Sequence, residues 1–150
     1  MAVKPIPDEY HSVQPYLLVE GVQGLIEFIK ATFETEEAMT MPQPDGRIGH
    51  AEIRIGDSVV MLADASTAEG VSGPMPATVV AYVEDADKTY QRALEAGAKS
   101  LREPENQFYG DRSAGVIDTF GNHWWIHTHI EDVPPEEVAR RMQERQASAS

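Results

Sequence analysis

The sequence has no cysteine. That excludes disulfides, thiolate metal sites and a cysteine nucleophile, and it agrees with a cytoplasmic protein. No apolar run approaches the roughly 20 residues that a membrane-spanning helix needs. The opening MAVKPIPDEYHS lacks the apolar stretch of a secretory signal, so the chain is expected to stay in the cytoplasm, away from membranes. Positive charge is scarce: 12 Lys and Arg stand against 25 Asp and Glu, a formal net charge of −13. Phosphate backbones repel such a chain, which sets nucleic acid aside as a partner. The acidity reads as a solvated surface that aids solubility. No nucleophile elbow, P-loop or Gly-rich dinucleotide fingerprint is present.

What is present is centred on residues 108–130, FYGDRSAGVIDTFGNHWWIHTHI. This stretch reads as a β-hairpin. One run leads into Asp118-Thr119-Phe120-Gly121, where Asp opens a turn through its own backbone and Gly closes it. The second run alternates. His123, Trp125, His127 and His129 share one face; Trp124, Ile126, Thr128 and Ile130 share the other. An apolar face behind a face of aromatic and titratable groups suggests core on one side and a ligand cavity on the other.

The 150 residues allow one domain or two small modules with a shared core. Residues 1–11 read as an extended arm. Residues 12–64 read as a first module: a strand, a helix over 22–34 with Val22, Leu25, Ile26, Ile29 and Phe33 on one face, then three strands. Residues 65–76, rich in Gly and Pro, read as a linker. Residues 77–131 repeat the pattern, with Asp85 or Asp87 capping the second helix and Gly97 stopping it. A short strand over 98–102, a turn at PENQFYG and the hairpin complete this module. Residues 132–150 read as a C-terminal helix and tail, with Glu136 and Glu137 early and Arg140, Arg141 and Arg145 late, as the helix dipole favours. The paired β-α-β-β-β order, offset by about 65 residues, indicates a duplication. The fold class is α+β: two such modules forming a cupped mixed sheet around a cleft.

With "AYVEDADKTYQRALEAGAK" and "YGDRSAGVIDTFGNHWWIHTHI", the chain resembles the vicinal oxygen chelate superfamily, the glyoxalase and bleomycin-resistance fold, and within it the PhnB-like branch. The resemblance covers about residues 12–130 and implies a homodimer. It also implies a divalent metal held by His, Gln or Glu from four strands. Those positions fall here at Gln14, Met61 (or Val60 one register away), Thr78 and Trp125. Thioether, aliphatic, hydroxyl and indole groups are poor ligands for a hard ion. The expectation is therefore no metal and no cofactor.

Strand parity then lines the cleft with Gln14, Tyr16, Met61 and Thr78, and with Tyr82, Trp125 and His127 from the second module. Aromatic walls with a few polar groups suit a small organic ligand. Tyr109 and Arg112 sit at the start of the hairpin. Arg112 can recognise an anionic group through its planar fork, or hold the turn by pairing with Asp111 or Asp118. His127 and His129 can chelate an ion only with a third ligand, such as Asp64, His50 or Glu52, and two imidazoles alone are weak evidence. The leading expectation is a metal-independent protein that binds an aromatic or heterocyclic compound. The alternatives are a metal-dependent lyase, isomerase or dioxygenase with a non-standard ligand set, and a dimeric interaction module whose cleft has closed.

Overall fold

The computed structural model describes residues 2–149, apart from the side chains of residues 37 and 38. Strand β1 (Tyr16–Val19) leads to α1 (Val22–Phe33), then β2 (Glu37–Pro42), β3 (Ile48–Ile55) and β4 (Ser58–Asp64). After a short 3-10 turn come β5 (Thr78–Tyr82), α2 (Ala86–Glu95), β6 (Lys99–Asn106), β7 (Asp111–Ile117) and β8 (His123–His129), and the chain closes with α3 (Pro135–Ala149). The expected β-α-β-β-β order thus occurs twice. The strands form two four-stranded mixed sheets, ordered β1-β4-β3-β2 and β5-β8-β7-β6. Each has one parallel pair, and the two pairs repeat one register: Tyr16 lies opposite Met61, and Val80 opposite Trp125.

Helices α1 and α2 pack on one face of the sheets and on each other. Val22, Leu25, Ile26 and Ile29 are buried as expected, and Phe28 joins them, its ring 6.1 Å from that of Trp124. Leu17, Ile53 and Leu62 come from the first sheet and Val116, Trp124 and Ile126 from the second, in one core. Arg92 of α2 clasps the end of α1, donating to the Thr32 carbonyl at 3.0 Å and pairing with Glu34 at 2.7 Å. Neither module seals its core without the other.

Each module caps its helix from the end of its last strand. Asp64 Oδ1 accepts the N–H groups of Gly21 and Val22, both at 2.9 Å, satisfying donors that a helix start leaves free. At the matching place in the second module, Thr128 Oγ1 accepts from the Ala86 N–H at 2.9 Å. Asp85 adds its own cap to α2, accepting from the Lys88 N–H at 3.1 Å. The hairpin turn is held by Asp118, a buried carboxylate that accepts from the N–H groups of Phe120 and Asn122, the Asn122 amide and the Trp124 indole.

Two element boundaries differ from expectation. β6 continues through Pro104 to Asn106, where a turn was expected. It is an edge strand, and register shifts on either side of Arg102 absorb the proline. β1 begins only at Tyr16, because Pro15 contributes just its carbonyl, to the Met61 N–H at 2.9 Å. Helix α3 buries no residue. It is tied down by Arg141, which pairs with Glu131 and donates to the Phe108 carbonyl, and by Arg145 over the Phe108 ring.

Candidate functional site

Opposite the helices, each sheet presents a second face. On β8, Trp124 and Ile126 point into the core, so Trp125 and His127 point away from it. On β7 the same parity sends Asp111, Ser113 and Gly115 outward and Arg112, Ala114 and Val116 toward α2. The hairpin register then sets Gly115 opposite Trp125, Ser113 opposite His127 and Asp111 opposite His129. Trp125 extends across Gly115. A Cβ there would lie 2.3 Å from the indole Cζ3, so only glycine leaves room. The Arg102 guanidinium of β6 sits 5.0 Å from the ring centroid, within cation–π range, and also donates to Ser113 Oγ.

Beside this indole lies a cluster around one carboxylate. Asp111 is 2% exposed. Its Oδ2 accepts from the Tyr82 hydroxyl at 2.6 Å and His127 Nδ1 at 3.0 Å, and its Oδ1 accepts from His129 Nδ1 at 2.9 Å. Burial pushes the Asp111 carboxyl up, but the three donors outweigh it and hold the group below its ordinary range. The hydrogen bond to Asp111, with burial, pushes the Tyr82 phenol up to about 12. The other nitrogen of His129 meets Asp132 Oδ1 at 2.7 Å. An imidazole facing carboxylates at both nitrogens is favoured as the doubly donating cation, and its pKa is raised by those two bonds. Tyr109 stacks near His127, centroids 6.3 Å apart and planes 27° apart. The loop carrying Tyr109 is pinned at Gly110: its φ is +103°, a Cβ there would meet the Glu131 carbonyl at 2.2 Å, and its own carbonyl accepts from Ile130 and Glu131.

The outward face of the first sheet is built on similar lines. Glu52 is 8% exposed and accepts from the Tyr10 hydroxyl and from His50 Nε2, the latter at 2.8 Å. His50 Nδ1 lies 3.2 Å from the Tyr16 hydroxyl. Met61 sits between Tyr16 and Glu52 in the sheet register. Burial raises the Glu52 carboxyl, and the bonds from Tyr10 and His50 bring it below its ordinary value. Tyr10 belongs to the N-terminal arm, which also offers the Glu9 carbonyl to Arg54 at 3.3 Å. The arm thus lies over this sheet.

The residues expected to line one cleft therefore occupy separate places. Tyr16 and Met61 lie on the first sheet's face; Tyr82, Tyr109, Trp125 and His127 lie on the second's. No hydrogen bond or ring contact among the described residues joins the two groups. Gln14 is in the arm, accepting from the His11 N–H at 2.7 Å, and Thr78 is exposed. Arg112 pairs with neither Asp111 nor Asp118. Its fork grips Asp87 of α2 at 2.6 and 2.9 Å and reaches Asn106 at 3.0 Å. Two clefts border Tyr82, of 860 and 560 Å³, and neither is lined by Trp125 or His127. Asp111, Arg102 and Gly115 were not singled out from sequence as site residues, although β7 parity and the hairpin register place the first and last beside His129 and Trp125.

The four positions that the resemblance assigns to a divalent ion, Gln14, Met61 (or Val60), Thr78 and Trp125, carry an amide already engaged by the backbone, a thioether (or an aliphatic group), a solvated hydroxyl and an indole. That donor set does not fit such an ion. Among the described residues no three His, Asp or Glu side chains assemble in metal-binding geometry.

The sequence profile of the Glyoxalase/Bleomycin resistance protein/Dioxygenase superfamily matches residues 17–126. The chain belongs to that superfamily. An uncharacterized protein of Mycobacterium bovis, Mb0911c, is 34% identical over 139 residues, covering 87% of this chain and 91% of the relative. Among solved structures, TioX from Micromonospora sp. ML1 superposes with a TM-score of 0.64 at 22% identity, over 79% of this chain and all of that one. A glyoxalase/bleomycin resistance protein/dioxygenase family enzyme from Burkholderia phytofirmans gives 0.63 at 16% identity, over 77% and 95%. These two likenesses concern the fold of the superfamily. No helix among the described residues is long and apolar enough to cross a membrane.

Proposed function

We propose that this superfamily member, of the PhnB-like branch and cytoplasmic, is a metal-independent binding protein for a planar aromatic or heterocyclic compound. The guest lies on the outward face of the second sheet. The observation that carries this reading is the seat of Trp125: a glycine opposite it lets the indole extend over β7, beside the Arg102 guanidinium. A ring laid there gains apolar area and stacking, about 0.5–1.5 kcal/mol for each aromatic pair beyond burial. Tyr82, Tyr109 and His127 continue the aromatic surface.

The homodimer belongs to the same proposal. In the single chain this face is open, with Val80 56% and Tyr82 64% exposed. A second copy of the chain supplies the cover that turns a face into an enclosed pocket. Tryptophan fluorescence tests the reading, because Trp124 is 1% exposed and its indole is fixed to Asp118, leaving Trp125 as the responsive ring. Planar heteroaromatic compounds should quench the emission, and Trp125→Phe should remove the response. A full response in Trp125→Phe contradicts the proposal. Sedimentation equilibrium should give twice the chain mass; a monomer at every concentration contradicts the dimer.

A further inference from the structure

We propose that His127 Nε2 accepts a proton from the bound guest, so that the compounds favoured are aromatics bearing an acidic hydroxyl: phenols and hydroxy-heteroarenes. This rests on the aromatic-binding reading above and names its ligand class.

The argument turns on which lone pair is free. Tyr82, Asp111, His129 and Tyr109 are the titratable groups nearest His127, with Asp132 beyond His129 and the Arg102–Glu105 pair at the indole. The Tyr82 hydroxyl on β5 is committed as a donor to Asp111. The Asp111 carboxylate on β7 is saturated by three donors. His129 on β8 donates from both nitrogens, to Asp111 and Asp132, and has no lone pair to offer. Tyr109, from the β6–β7 loop, stands nearly parallel to the imidazole, its centroid 6.3 Å away, and makes no hydrogen bond to it among the described residues. His127 donates Nδ1–H to Asp111, which in its neutral form places the lone pair on Nε2. That nitrogen has no hydrogen-bond partner among the described residues, and it is not among the side-chain atoms that are sealed and unpartnered.

The buried carboxylate behind the ring gives the imidazolium a counter-charge, as an Asp behind a catalytic His does elsewhere. On β6, Arg102 lies across from Trp125, and Glu105 sits opposite Ser113, one strand beyond His127. Arg102 pairs with Glu105 at 3.5 Å, so its charge over the indole is partly met within the chain and the preference for an anionic guest rests on His127. Trp125 and His127 are two residues apart on one strand face, roughly 7 Å. That matches the reach from a ring centre over the indole to a hydroxyl at the imidazole. In the step itself the guest O–H bond breaks and an N–H bond forms on Nε2. The result is a phenolate, an imidazolium and Asp111 in a row, with no oxidant or co-reactant involved.

The first sheet supplies a contrast. His50 has Nε2 on Glu52 and Nδ1 on the Tyr16 hydroxyl, so neither nitrogen is free for a guest.

The test compares 3-nitrophenol with its methyl ether, 3-nitroanisole, at a pH where free nitrophenol is almost wholly un-ionised. Tryptophan quenching reads binding and the nitrophenolate absorption band reads proton transfer. The expected result is a phenolate band on binding and an affinity for the phenol about tenfold above that for the ether, one pH unit of proton affinity. His127→Gln should abolish the band and the tenfold preference. Nitrogen NMR of the wild-type imidazole provides a measurement that needs no variant: Nε2 should become protonated as nitrophenol is added. Binding of both compounds with no phenolate band overturns this inference and leaves the aromatic-binding reading standing. A band that persists in His127→Gln also overturns it. No quenching by either compound removes both.

Discussion

The two outward sheet faces follow one plan to different ends. Each centres on a buried carboxylate ringed by tyrosine and histidine: Glu52 with Tyr10, His50 and Tyr16 on the first sheet, Asp111 with Tyr82, His127 and His129 on the second. On the first sheet the arm supplies one of the tyrosines and lies over the face, and both nitrogens of the histidine are used. On the second sheet, among the described residues, the N-terminal arm makes no bond and one imidazole nitrogen has no partner, and a glycine makes room for an indole. Duplication explains the shared plan. The difference shows that a polar cluster is not a site until a functional atom is left unsatisfied and reachable. The first cluster closes on itself; the second ends in a lone pair.

That contrast can be broken by experiment, beginning with the largest effect. Asp111→Ala removes the acceptor for three donors in a buried position and should lower stability by about 3 kcal/mol in urea unfolding. Glu52→Ala strands fewer donors and should lose less; equal losses would erase the distinction between the faces. Gly115→Ala places a methyl against the Trp125 ring and should cost about 1–3 kcal/mol through overpacking. It should also shift the Trp125 emission and end guest quenching.

Smaller effects come from pH. The folded state holds the Asp111 carboxyl below its ordinary 3.8, so its contribution is present above that value and is lost as pH falls through the lower folded one. His129 is held above its ordinary 6.5 by Asp111 and Asp132. Its contribution is present below 6.5 and is lost as pH rises through the higher folded value. Unfolding free energy measured across pH should show both arms, and His129→Asn should flatten the alkaline one. The smallest effect belongs to the arm: Tyr10→Phe should lower stability slightly and leave guest binding on the second sheet unchanged. A change in that binding would show that the two faces communicate.

Much of the fold could be read from the chain because its signals are local. Period-two alternation marked the strands, the apolar stripe from Val22 to Phe33 marked α1, and Asp118 with Gly121 marked the hairpin turn. Pro104 misled because a proline reads as a break, whereas an edge strand with shifted register tolerates it. For the site, alternation placed Trp124 in the core and Trp125 opposite to it. Arg112, expected to meet a ligand or to hold the turn, shares the parity of Ala114 and Val116, which sends it to the helix side, where Asp87 meets it. The Asp111 cluster needed one further step, carrying the register back from the turn to pair Asp111 with His129. The Tyr10–Glu52 contact joins residues 42 positions apart, and nothing local announces it.

The most direct test of the central claim is an NMR titration of the intact protein with 3-nitrophenol, following the imidazole and indole signals. The account predicts that Trp125 and His127 shift together and saturate with one affinity, while His50 and Trp124 stay in place. Shifts centred on His50, with Trp125 and His127 unmoved, would put the guest on the first sheet and contradict it.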